Sequence, residues 1–198
     1  MTERGIIFQG WSVRRILEGG KTMTRRLAWH EPPFCGAGRE GLTPDEEADV
    51  KRQGWRTEKR GDYTYLYKPT IWQKIRPGDV LWVREAVKRN DRHLWAYEAD
   101  DTEVPWPQRS HLAGKVRSKL SPMFLPKEST RLRLKVTEAR IEPLQAITED
   151  DCFAEGALGK PALPWFTETW NAIHGSGAWR RNPDVVAITF EVVDAQSL

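Results

Sequence analysis

Between Thr130 and Leu144 the chain reads TRLRLKVTEARIEPL, and the front half of that stretch alternates without a break. Successive side chains of an extended backbone point to opposite faces. Leu132, Leu134 and Val136 therefore share one side, and Arg131, Arg133 and Lys135 the other. Such a pattern demands a sheet with one covered face, and it is the clearest strand in the sequence. DVVAITFEVV (184–193) predicts a closing strand. GIIFQG (5–10) predicts a short buried one. In RPGDVLWVREAV (76–87) a Pro77–Gly78 turn leads into a strand on which Leu81 and Val83 oppose Trp82 and Arg84. HLWAYEAD and DYTYLYKP predict two further short strands.

Helical spacing is confined to three places. In WSVRRILEGG, Trp11, Val13, Ile16 and Leu17 recur near a helical period, with Ser12 as the expected N-cap and Gly19–Gly20 as the stop. TEDDCFAEG (148–156) predicts a short helix capped by Thr148, acidic in its first turn and stopped by Gly156. PWFTETWNAIHG (164–175) predicts another. Residues 29–70 mix prolines, glycines and charge blocks, and are read as an inserted, partly mobile segment on the rim of the fold. Residues 100–128 are punctuated by prolines and poorly periodic. The order β, α, several β, α, α, β contains no repeating βαβ series. The expectation is one α+β domain over residues 1–198, with a small β-barrel or curved mixed sheet and helices at its mouth.

Composition excludes several classes. No apolar run approaches the roughly 20 residues of a membrane span, and MTERGIIFQG lacks the pattern of a secretory signal. Cys35 and Cys152 are too few for a disulfide framework, so the expectation is a cytoplasmic chain with free thiols and no membrane partner. The net charge of +3 permits a nucleic-acid partner without requiring one. Ten tryptophans serve mainly to fill the core, with a few available to stack a base.

No P-loop, dinucleotide-binding glycine pattern or nucleophile elbow occurs. His30, His93, His111 and His174 are scattered, and are read as surface or packing residues rather than ligands; no metal site or cofactor is expected. Three stretches carry chemistry. In GGKTMTRR (19–26), lysine and arginines at a helix C-terminus complement the helix dipole, and threonine suits a strand, so a plain helix stop accounts for the residues. The same stretch also places Lys21 near Thr24. A threonine hydroxyl becomes a nucleophile only when a neighbour takes its proton, and a lysine flanked by Arg25 and Arg26 is a better base than an isolated one. In AEGA, Glu155 falls at the negative end of a helix, where a carboxyl is poised for proton transfer. In LWVRE, Arg84 and Glu85 point to opposite faces. Glu85 then either receives a base amino group or pairs with an arginine such as Arg26.

Gly19-x-Lys21-x-x-Thr24-x-Arg26 resembles the G-x-K-x-x-E-x-R motif of the ASCH domain family, whose fold is PUA-like. GDVLWVRE resembles that family's second strand motif. ITEDDCFAEG, PWFTETWNAIHG and DVVAITFEVV resemble its closing helix, helix and strand. The layout is most similar to phage-associated ASCH proteins, which carry long insertions and a WN-x-I-x-G ending. The resemblance covers most of residues 5–28 and 75–193. GGKTMTRR is also similar to the site of small bacterial N4-acetylcytidine amidohydrolases, which use a lysine, a threonine nucleophile and a glutamate. Lys21 and Thr24 match directly, and Glu155 matches by its spacing from Ile147-Thr148-Glu149. This chain is about twice as long as those hydrolases.

The resemblance implies a cofactor-independent amidohydrolase acting on the acylated exocyclic amine of a modified pyrimidine nucleoside or nucleotide. Thr24 would attack the carbonyl, Lys21 accept the proton or hold the oxyanion, and Glu155 orient Lys21 or protonate the leaving amine. Arg26 and Glu85 would fix the base, and Trp82 would stack on it. The alternative is an RNA- or modified-nucleic-acid-binding PUA-like module, including a ribonuclease. A phage accessory protein with a vestigial site is a further option.

Overall fold

The computed structural model describes residues 1–30, 39–105 and 118–195. Cys35, His111 and parts of the two irregular segments lie outside them. The chain opens with β1 (Glu3–Ile7), α1 (Gly10–Leu17) and β2 (Met23–Leu27). Val13 and Ile16 are the buried residues of α1's apolar stripe; Leu17, expected to join them, is exposed. The N-cap of α1 is Gln9, not Ser12, which is instead buried one turn into the helix. Gly19 ends the helix at a φ of 72°, a conformation that costs a glycine little.

Residues expected as an insertion with one short strand, in DYTYLYKP, form that strand and more regular structure besides. They comprise β3 (Arg39–Glu40), α2 (Pro44–Arg52), β4 (Arg56–Arg60) and β5 (Tyr63–Tyr67), with the three strands ordered β3-β5-β4 in an antiparallel sheet of their own. Thr43 caps α2 in a reciprocal bond with Glu46, a local signal that the surrounding charge blocks obscured. His30 N–H donates to the Lys68 carbonyl at 2.9 Å, so the segment leaves and rejoins the core at nearly one point.

The chain continues through β6 (Val80–Arg84), β7 (Val87–Arg89), β8 (Trp95–Tyr97) and β9 (Lys119–Leu120). It ends with β10 (Leu132–Pro143), α3 (Glu149–Ala154), α4 (Ala162–His174) and β11 (Asp184–Ala195). The main sheet is ordered β1-β6-β10-β11-β2, parallel between β1 and β6 and antiparallel elsewhere. β7, β8 and β9 form a third sheet, ordered β8-β7-β9.

The architecture is thus α+β, but no barrel closes. β1 and β2 are the two edges of the main sheet and share no ladder. A side chain spans them instead, since Arg26 of β2 donates to the Ile7 carbonyl of β1 at 2.7 Å. One face of the sheet holds the principal core, which includes Ile6, Leu81, Val83, Leu132, Leu134 and Ile188. The alternation read in β10 is realised here, with Leu132, Leu134 and Val136 all at most 1% exposed. A second core lies under α3 and α4 on the other face, around Cys152, Phe166, Trp170 and Val185. Cys152 is a free thiol there, and burial pushes its pKa up to about 11, which keeps it unreactive. Among the described residues no helix is long and apolar enough to cross a membrane.

Candidate active site

The site forms where β2 runs between the two cores. Thr22 is held from both sides: its N–H donates to the Ala154 carbonyl of α3 (2.8 Å), and its carbonyl accepts from Phe190 N–H of β11 (2.9 Å). This fixes Lys21 beside the C-terminal end of α3. Glu155 is the C-cap residue of that helix. Lys21 Nζ donates to the Glu155 carboxylate at 2.7 Å and to the Glu155 main-chain oxygen at 2.6 Å. The main-chain oxygen is one of the carbonyls a helix leaves unpaired at its end, and a cation suits it.

Both side chains are buried, Lys21 at 3% exposure and Glu155 at 5%. Burial lowers the Lys21 pKa below the ordinary lysine value. The Glu155 carboxylate opposes that shift, while Arg26 and Arg25 add to it. Two of the three ammonium protons are used by Glu155; among the described residues the third has no acceptor. The rings of Phe8 and Trp11 lie 5.8 Å from the nitrogen and keep it in an apolar setting.

Strand alternation then divides the rest of the stretch. Thr24 and Arg26 pair with Ile188 and Val186 and face the side of the principal core. Thr24 is 4% exposed, and its hydroxyl has no hydrogen-bond partner among the described residues. Arg26 lies over Phe8 at 5.2 Å and Trp72 at 5.7 Å. Desolvation draws its pKa down to about 10, which still leaves the guanidinium charged at neutral pH. Among the described residues its Nε is buried without a hydrogen-bond partner.

Arg25 points the opposite way, and sequence reasoning gave it no place in the site beyond its charge. Its guanidinium meets Glu142 of β10 (2.8 Å), Asp151 of α3 (2.6 Å) and, through Nη1, Glu155 (3.4 Å). One buried cation thus gathers three carboxylates, one from β10 and two from α3 and its C-cap, and sets the position of Glu155. The available signal was the acidic opening of α3, Glu149-Asp150-Asp151, facing a strand whose alternation buries Arg25.

Lys21, Thr24, Arg25, Arg26 and Glu155 line one cleft of about 220 Å³. Phe8 and Trp11 form one wall; α4 supplies the other through Trp165, Phe166, Thr169, Trp170 and Ile173. The Trp11 and Trp165 rings meet edge to face at 5.6 Å across the cleft. The period of α4 carries that wall, since Trp165, Thr169 and Ile173 recur every four residues. A second cleft of about 270 Å³ adjoins the first and shares Trp170 and His174 with it. The two shared rings stack at 4.1 Å, so His174 packs as expected but also separates the clefts.

The remaining two expected site residues lie elsewhere. Trp82 faces the outer side of β6, opposite Leu81 and Val83, where it packs so closely over Gly5 that a Cβ there would fall 2.8 Å from the ring. Arg84 lies over the same ring at 4.3 Å. Glu85 is paired with an arginine, but with Arg131 (3.0 and 2.8 Å) rather than Arg26. The same guanidinium reaches Asp100 at 2.7 Å and lies over Tyr97 at 4.1 Å. Burial raises the Glu85 pKa against the pull of Arg131, as suits a structural ion pair in a core. Neither residue lines the cleft.

Among the described residues, no three histidines, cysteines or carboxylates gather as a metal ion would require. Comparison of the chain with family models, with curated proteins and with solved structures finds no match.

Proposed function

We propose that this protein is an amidohydrolase that removes an acyl group from the exocyclic amine of a modified pyrimidine, with Thr24 as nucleophile. The observation that carries this reading is the convergence of an amine, a hydroxyl and a carboxylate, from Lys21, Thr24 and Glu155, in one aromatic-walled cleft. The order of motifs shared with ASCH domains, and the PUA-like fold it implies, point the same way.

In the proposed reaction the neutral Lys21 amine takes the Thr24 hydroxyl proton as the oxygen attacks the amide carbonyl. The C–O bond forms and the carbonyl oxygen becomes an oxyanion, facing Arg26 and the lysine's remaining protons. Collapse breaks the C–N bond. The departing ring amine receives its proton from Lys21, with Glu155 holding the lysine in place. Water then attacks the threonine ester by the same proton path and releases the acid. A desolvated lysine is suited to this exchange, because burial lowers its pKa from the ordinary lysine value and so favours the neutral amine more than solvent would. The cleft is small against the usual range for drug-sized ligands, and its two aromatic walls suit one flat ring.

Incubation with N4-acetylcytidine, followed by chromatography for cytidine, tests the reading. Wild-type protein releases cytidine, and Thr24→Ser retains part of the rate. Thr24→Ala and Lys21→Ala lose about 10²-fold or more, in line with removal of a nucleophile or its base. Equal turnover in wild type and both alanine variants sinks the mechanism, and the absence of turnover on any N4-acylated cytidine sinks the substrate class.

A further inference from the structure

We infer that the outer face of the β4–β5 hairpin is a binding site for single-stranded nucleic acid. The register pairs Arg56 with Tyr67, Glu58 with Tyr65 and Arg60 with Tyr63. Paired residues share a face, so three of the chain's four tyrosines stand in a row beside two arginines. Tyr63 is 48% exposed, and Arg56 and Arg60 are exposed as well. The alternate residues turn away, and of these Thr64 is buried.

The chemistry of this face matches a polynucleotide twice over. Unstacked bases bind to aromatic side chains at little sequence cost, and tyrosines on a sheet are such a platform. Arg60 already lies over the Tyr65 ring at 5.1 Å and donates to the Tyr67 hydroxyl at 3.0 Å, which fixes both rings for stacking. Positive charge stands beside the rings as Arg56 and Arg60, set against Glu58 on the same face, which holds Arg60 at 2.8 Å. The surrounding segment from Lys51 to Lys68 carries six cations and two carboxylates.

The face also leads toward the clefts. At its near end Arg56 bonds Asp184 at 2.5 Å, next to Pro183, and β5 runs on through Lys68 and Pro69 to Thr70. Pro183 and Thr70 both line the second cleft, which abuts the candidate active site through Trp170 and His174. A strand laid along the tyrosines would thus approach the candidate active site by way of the second cleft. Binding is measured without any hydrolysis, so this site and the proposed reaction fail or succeed separately.

The test is fluorescence anisotropy of the full chain with a labelled, unstructured 12-nucleotide RNA, its DNA counterpart and the matching duplex. The single strands bind, with affinity that falls steeply between low and moderate salt. The duplex binds about tenfold more weakly or worse. Tyr63→Ala and Tyr65→Ala each weaken single-strand binding about tenfold, within the range for loss of one stacked base, and Tyr63→Phe does not. Thermal melts of the variants establish that they are folded. The RNA and DNA arms show which sugar the face prefers. Alanine variants that bind like wild type overturn the inference. So does a duplex held as tightly as the single strand, and so does polyglutamate binding that competes with the wild-type face.

Discussion

Arg25 is the residue on which the site's geometry turns. It has no exposed side-chain surface, and it faces Glu142, Asp151 and Glu155 from one guanidinium. Removing it takes a shared donor from three carboxylates in low dielectric, although Arg140 still holds Glu142 (2.7 Å) and Asp151 (3.2 Å) and Lys21 still holds Glu155. Arg25→Met is therefore expected to destabilise the fold by about 3 kcal/mol in urea unfolding, the low end for a broken buried pair. Lysine should not rescue it, because a point charge cannot replace a fork with separate donors. A second expectation concerns Glu155, whose carboxylate raises the pKa of Lys21 against the effect of burial. If the neutral amine is the active form, the rate climbs as pH rises through the Lys21 pKa, at a midpoint below that of a free lysine. Glu155→Gln removes the opposing carboxylate, so the rising limb should move to lower pH even though the maximum rate falls. A limb that stays in place in a pH–rate profile would show that Lys21 is not the titrating base.

At the scale of elements, α3 is a six-residue helix that carries much of the design. Thr148 accepts from Asp151 N–H while the Asp151 carboxylate reaches back to the Thr148 N–H. So short a helix does not form without such caps and tertiary anchors. Thr148→Ala should cost about 1 kcal/mol in thermal or urea unfolding, and should loosen Glu155 at the far end enough to lower turnover on N4-acetylcytidine. Asp151 links the cap to the ion cluster. Burial pushes its pKa up, but the hydrogen bond and charge of Arg25 outweigh burial, and the folded value lies below 3.8. A carboxyl depressed on folding contributes stability above its unfolded pKa and loses it as pH falls through the folded one. Acid titration of unfolding should accordingly show stability falling once pH drops below about 4, and Asp151→Asn should flatten that part of the curve.

For the molecule as a whole, the hairpin sheet and the main sheet are separable in physical terms. The excursion from His30 to Lys68 begins and ends at one hydrogen bond, with Trp29 bridged to Pro69 beside it. Among the described residues, its side-chain ion pair to the main sheet, Arg56–Asp184, is between partly exposed groups and is worth at most about 1 kcal/mol. Replacing residues 31–67 by a short glycine linker should leave the five-stranded sheet folded, with a melting temperature within a few degrees of wild type and with oligonucleotide binding gone. Loss of cooperative melting would show instead that the excursion belongs to the core.

Local patterns in the sequence were enough for β10, for the caps and stops of α3, and for Lys21 and Thr24 as a candidate pair, because alternation, capping and spacing act over a few residues. They failed where partners come from afar. Glu85 meets Arg131 across 46 positions, Trp82 turns outward over Gly5, and Arg25 collects acids more than 100 residues away. Whether the sheet curls into a barrel or stays open was equally beyond local reading, since it depends on whether β1 and β2 find ladder partners at its edges. Sequence alone determined which residues could do chemistry. Only the tertiary structure decided which of them share a cleft, because long-range packing and the pairing of buried charge choose the neighbours that no local period encodes.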